Sequence, residues 1–140
     1  ESFRVLMSLG RLYVLIADEK LQDPLTRDSA PPIFRQAYNL LAAAAARDPK
    51  SAMASYMVGS VEFRLGSYKD AEKDLKHALE LDPSVFPARI TLINVYVAQR
   101  MWQDALENID EFILGNPSSA FRQEVMATRA VVIRRLSPNP

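Results

Sequence analysis

The chain has 140 residues, room for one domain of about 100 to 200 residues, so a large two-domain enzyme is excluded. Hydrophobic residues make up 49% and charged residues 24%, with 17 Lys plus Arg against 17 Asp plus Glu. This is the composition of an ordinary folded protein, and its zero net charge argues against a main role in neutralising a phosphate backbone or an anionic membrane. With no Cys and a single His, disulfides, thiolate metal sites, cysteine nucleophiles and two-histidine zinc sites are all ruled out.

The first residue is Glu1 rather than Met, so the sequence is expected to be an excised or processed piece of something longer. The lack of Cys fits a bacterial cytoplasmic, periplasmic or secreted protein equally well, and localisation stays open. Val5 to Ala17 is apolar but contains Arg11 and is shorter than the roughly 20 residues that cross a bilayer, so it reads as a buried amphipathic helix. The stretch 18–32 is polar, with Asp23, Pro24, Asp28, Pro31 and Pro32, and reads as a long loop. The two last prolines are placed to open a helix through Phe34, Ala37, Leu41 and Ala44, which ends before Pro49.

From Ala52 to Leu65, Met53, Tyr56, Met57, Val58, Val61 and Leu65 recur at helical spacing, and Gly66 supplies a left-handed stop. A second helix starts at Ser67 and Tyr68, carries Asp70 and Glu72 in its first turns, and runs through Ala71, Leu75, Ala78 and Leu79 to the stop at Asp82 and Pro83. So short a connection makes the two helices antiparallel. A third hairpin follows over 85–117 and a terminal helix over 118–136, whose apolar residues include Phe121, Val125, Met126, Val131, Val132, Ile133 and Leu136. Residues 137–140 read as a frayed tail.

These elements repeat. Pro49, Pro83 and Pro117 stand 34 residues apart, each after an Asp or Asn; so do Ala37, Ala71 and Ala105, then Leu41, Leu75 and Ile109, then Phe34, Tyr68 and Trp102. Four columns in one register mark a repeat architecture. Gly10 and Gly59 are 49 residues apart, 15 more than one period, which places the extra residues between the two helices of the first hairpin.

Residues 52–85 resemble a tetratricopeptide repeat through Gly59, Gly66, Tyr68, Ala71, Leu75, Ala78 and Leu81-Asp82-Pro83. Residues 86–119 match through Leu92, Tyr96, Trp102, Ala105, Ile109 and Pro117, but have Ile93 and Arg100 where the family prefers a small residue and a glycine. Leu9, Gly10 and Tyr13 resemble the first helix of an earlier, split copy. The resemblance implies an all-α fold of about seven helices: a right-handed α–α superhelix of three hairpins, 2–49 with the inserted loop 18–32, 51–83 and 85–117, closed by the helix 118–136, all in one domain.

In such a stack the first helix of each pair lines the inner wall. The resemblance implies a peptide-binding row there: Arg4, Met7, Arg11, Tyr56, Ser60, Ile90, Asn94, Val97, Glu124 and Thr128. That row suits an extended or helical peptide held by apolar anchors, with Asn94 bonding its backbone and Arg4 or Arg11 meeting an acid. The family's carboxylate clamp needs Lys and Asn where the middle hairpin has Tyr56 and Ser60, and of its set only Asn94 fits. An alternative use of Tyr56 and Met57 is packing alone.

No catalytic constellation is visible. His77 sits among Lys73, Asp74, Lys76 and Glu80 on a charged helix face, and the interleaved acids and lysines there match surface ion pairs. No cofactor or metal is expected. Arg122, Arg129, Arg134 and Arg135 make the last helix locally basic, but the neutral chain gives no expectation of nucleic-acid binding. The expected role is a non-catalytic interaction module and scaffold for a protein or peptide partner. The alternative is a homo-oligomer formed through the apolar terminal helix, with Val132 and Ile133 at the contact.

Overall fold

In a computed structural model, which describes residues 2–115 and 118–138, seven α-helices follow one another: α1 (Phe3–Gln22), α2 (Ala30–Arg47), α3 (Ala52–Arg64), α4 (Tyr68–Leu81), α5 (Phe86–Ala98), α6 (Trp102–Leu114) and α7 (Ser119–Leu136). Among the described residues there is no strand, and the architecture is the all-α superhelical stack that the repeat implied. Asn116, Pro117 and the tail residues 139–140 lie outside the described residues.

Local signals set the helix ends. Ser2 and Ser51 cap α1 and α3 by accepting from the Val5 and Ala54 amides at 3.3 and 3.1 Å, and Pro31 and Pro87 sit in the first turns of α2 and α5, where no ladder bond is lost. α3 ends where Gly66 turns left-handed at φ 77°, letting the Ser67 amide return to the Glu62 carbonyl at 2.9 Å. The matching turn after α5 uses Arg100 at φ 59°, with Met101 returning to the Tyr96 carbonyl at 2.9 Å. The turn geometry is therefore kept where the glycine is not.

The insertion departs from the expected loop over 18–32. Five of its residues lengthen α1 to Gln22, and α2 begins at Ala30, so the connection is only 23–29, with a single 3-10 turn at Arg27–Ser29. The charges at 18–20 hid this continuation, because they lie outside the core-facing stripe that Gly10, Val14 and Ala17 extend.

Consecutive helices pack in antiparallel pairs around two cores that meet at α3. The N-terminal core gathers Leu6, Val14, Ala17, Phe34, Leu41, Ala44, Val58 and Val61; the other gathers Ala71, Leu75, Leu79, Leu92, Ile93, Tyr96, Ile109, Phe112, Val125 and Val132. Glycine is required at two crossings. A Cβ on Gly10 would lie 2.6 Å from the Leu41 side chain, and one on Gly59 2.7 Å from Leu75 Cγ. First helices touch first helices, α1 to α3 and α3 to α5, whereas the second helices α2, α4 and α6 do not meet to a comparable extent. That asymmetry curves the stack and puts α1, α3 and α5 on its inner side.

Candidate functional site

The inner wall is built from α1, α3 and α5. On α5, Ile90, Asn94 and Val97 follow at spacings of four and three, one face of a helix, and all three are half-buried. Tyr56 on α3 is also half-buried and packs with Ile90 and Val97 against the same core. The Asn94 amide has no hydrogen-bond partner within the described residues, so donor and acceptor are both open beside three apolar side chains. Arg4 and Arg11 are exposed on α1, two turns apart, with no carboxylate among the described residues within ion-pair distance.

Other members of the expected row are placed differently. Met7 is 9% exposed and belongs to the N-terminal core, where it packs rather than presents itself. Ser60 is buried and occupied: its hydroxyl and its carbonyl oxygen both accept from the Arg64 guanidinium. Glu124 is exposed and Thr128 half-buried on α7, which rests on α6 without comparable contact to α5, so this pair stands apart from the wall.

Arg64 is the wall residue that sequence reasoning missed. Its guanidinium donates to both Asp18 carboxylate oxygens, at 2.8 and 3.1 Å, and lies 5.8 Å from the centre of the Phe34 ring. This clasp ties α1 to α3 at one end of the wall. No spacing pointed to it, because Asp18 falls in the stretch read as loop.

The other missed residue is Glu62, and here a signal existed. Its column holds Tyr13 in hairpin one and Tyr96 in hairpin three, so the middle hairpin carries an acid where its neighbours carry an aromatic. The side chain is 5% exposed, and Oε1 is the one buried side-chain polar atom among the described residues without a hydrogen-bond partner. Burial first, then the proton it shares with Asp74 and the charges of Asp74 and Asp70, push its carboxyl up to about 9, with Lys73 opposing. Glu62 therefore holds a proton at neutral pH. The Tyr38 hydroxyl is shifted up by burial and then by the same three acids. Ser55, two turns earlier on α3, donates to the Asp74 carbonyl at 2.8 Å.

Outside the wall, His77 is exposed and helps line an open hollow of about 280 Å³ with Tyr38, Asp48, Ser55 and Asp74. Glu72 and Lys76 pair at 2.8 Å as the alternating charges implied, and Arg129 pairs with Asp110 at 3.0 Å. Among the described residues no cluster of three or more His, Asp or Glu could hold a metal, and no helix is long and apolar enough to cross a membrane.

Residues 34–85 match the family model of the tetratricopeptide repeat. Over the whole chain the fold is that of a tetratricopeptide-repeat domain. Solved tetratricopeptide-repeat structures share its fold along nearly the whole length. The TPR2B-domain:pHsp70 complex of yeast Sti1 aligns with a TM-score of 0.77 at 20% identity, covering 95% of this chain and 97% of that one. The first TPR of Spaghetti (RPAP3) bound to the HSP90 peptide SRMEEVD aligns with a TM-score of 0.69 at 15% identity, covering 92% and 96%. The MamA protein aligns with a TM-score of 0.59 at 20% identity, covering 96% and 87%. At such identities the likeness is one of fold. No curated protein matches the sequence.

Proposed function

We propose that this tetratricopeptide-repeat chain is a non-catalytic module that grips an extended or helical protein segment along the wall formed by α1, α3 and α5, and so acts as a scaffold or assembly part of a larger protein. The observation that carries this is the α5 face: Ile90 and Val97 flank an Asn94 amide with no partner among the described residues, and Tyr56 lies beside them. Apolar anchors around one two-way hydrogen-bonding group suit a peptide backbone. Arg4 and Arg11 add positive charge at one end, with no ion-pair partner among the described residues, which favours a segment with an acidic residue there. Two structures of like fold are complexes, one with pHsp70 and one with an HSP90 peptide, which supports a segment-binding use of this architecture.

The ligand differs from a carboxylate-terminated tail of the SRMEEVD kind. The middle hairpin has Tyr56 and a buried Ser60 where a clamp would need Lys and Asn. Screening a peptide library against the intact chain, then comparing wild type with Tyr56→Ala and Asn94→Ala, tests the reading. Each substitution is expected to weaken the selected peptides by roughly tenfold or more, the loss of one anchor or one buried hydrogen bond. Unchanged affinities in both variants would remove the wall from consideration. The peptide SRMEEVD is expected to bind weakly, and an oligonucleotide titration to show no salt-sensitive binding.

Self-association through α7 has less support. Val132 lies in the core and cannot serve a contact between copies, which leaves Ile133 of the expected pair. Arg122 and Arg134 also stand exposed on that helix and give its surface a positive charge.

A further inference from the structure

The repeat supplies an internal control for what each position of a first helix should meet. Three columns line the junction between one hairpin and the next: Val5, Ala54 and Ala88; Leu9, Val58 and Leu92; Leu12, Val61 and Val95. In α3 and α5 these residues are at most 6% exposed, because α2 packs on α3 and α4 packs on α5. In α1 the same columns are open, with Val5 at 47%, Leu9 at 38% and Leu12 at 51%. At the first and third columns the α1 residues are also larger than their counterparts, Val5 against Ala54 and Ala88 and Leu12 against Val61 and Val95.

The α1 stripe has a different logic. Val5, Leu9, Leu12 and Ile16 follow at spacings of four, three and four, the seam of a coiled coil, with exposed Leu15 beside it. The seam ends in polar residues, Ser2 on one side and Glu19 on the other. It is self-complementary in one antiparallel register, where Val5 of one copy faces Ile16 of the second and Leu9 faces Leu12. A two-fold axis brings each flank of the seam against itself. Arg4, Ser8, Leu15 and Glu19 lie on one flank of the helix, so the axis sets Arg4 of one copy near Glu19 of the other, twice. Neither residue has an ion-pair partner among the described residues. Arg4 also sits in the first turn of α1, at the positive end of the helix dipole, where no acid is present to offset it. A hollow of about 340 Å³ lined by Leu9, Tyr13, Gln36, Asn39 and Leu40 opens beside the stripe and extends the apolar surface onto α2.

We propose that a second copy of this chain covers the α1 face, through an antiparallel two-fold seam of Val5, Leu9, Leu12 and Ile16 flanked by two Arg4–Glu19 pairs. The seam shares only Arg4 with the wall of α1, α3 and α5, and its apolar residues Val5, Leu9, Leu12 and Ile16 take no part in that wall, so loss of either on a seam or wall substitution other than at Arg4 can be told apart.

Sedimentation equilibrium of the whole chain over a concentration series tests the proposal. Twice the monomer mass is expected at the upper end. Leu12→Glu, at an exposed position, is expected to return the mass to one copy while leaving the helical circular dichroism intact. Arg4→Glu and Glu19→Arg each set like charges together and are expected to weaken the dimer by roughly tenfold or more, and the double variant to restore it. A single-copy mass at every concentration would overturn the proposal. So would a dimer that survives Leu12→Glu but is lost on Met126→Glu, which would place the contact on α7. Failure of the double variant to recover would overturn the antiparallel register.

Discussion

Hairpin two turns on Gly66 and hairpin three on Arg100, yet both residues are left-handed and both turns close through the same backbone bond. The contrast runs through the whole unit. Where α3 has Gly59 pressed against Leu75, α5 has Ile93, which is buried and holds α5 and α6 in a less extensive contact than α3 and α4 make. Where α3 has Glu62 protonated beside Asp74, α5 has Tyr96, whose hydroxyl reaches Glu72 at 3.3 Å. Where Ser55 bonds a carbonyl of its own hairpin, Arg89 bonds Asn108 at 2.7 Å and Glu111 at 3.1 Å. What stays constant is the column of Ala71 and Ala105 and the column of Leu75 and Ile109, all fully buried. The register of the stack rests on those columns, and the other positions vary as long as a local partner compensates.

Cutting the constant column should do the most harm. Leu75→Ala and Ile109→Ala are each expected to destabilise by about 2 to 5 kcal/mol in urea unfolding, as a cavity opens under a fully buried side chain. If Ile109→Ala proved nearly neutral, the two hairpins would not share one framework. Gly59→Ala should come next, at about 1 to 3 kcal/mol, since the new methyl meets Leu75 Cγ at 2.7 Å. Combined with Leu75→Ala, its effect should be smaller than the sum of the two, because the clash leaves with the leucine.

Glu62→Gln should stabilise hairpin two by about 1 to 3 kcal/mol at pH 8, since an amide can donate to Asp74 without holding a titrating proton. The sign follows from linkage. The folded chain holds the Glu62 proton up to about 9, whereas an unfolded one releases it near the ordinary carboxyl value of 4.5. This contribution to stability is therefore full below about 4.5 and is lost as pH rises through about 9. The melting temperature of the wild type should fall across that window, and that of Glu62→Gln should fall less. Equal slopes would mean that Glu62 does not carry this pH dependence. The smallest effects belong to the turns: Arg100→Gly should gain about 1 kcal/mol by relieving a left-handed side-chain residue, and Gly66→Ala should lose a similar amount.

Much of this was legible in the residues. The 34-residue columns located five of the helices within a few positions, and Gly66 marked the turn of hairpin two, whereas Arg100 stood out only as a departure from the glycine the family prefers. The wall was less legible, because neighbouring residues on a helix point about 100° apart and first helices pack on two sides. A small error in facing then moves a residue from groove to core. Met7 and Ser60 were misjudged in this way on the wall, and Val132 beside Ile133 on α7. The clasp of Asp18 with Arg64 was hidden for another reason, since it joins residues 46 apart and periodicity carries no information at that range.

That clasp also bears on how the molecule comes together. Nearly every helix rests on the next one in the chain, so hairpins can close in turn as they leave the ribosome, with little search over distant partners. Asp18 must wait for Arg64, which arrives only once α3 is complete. The bond would then act as a late latch, fastening the first hairpin after the second has formed.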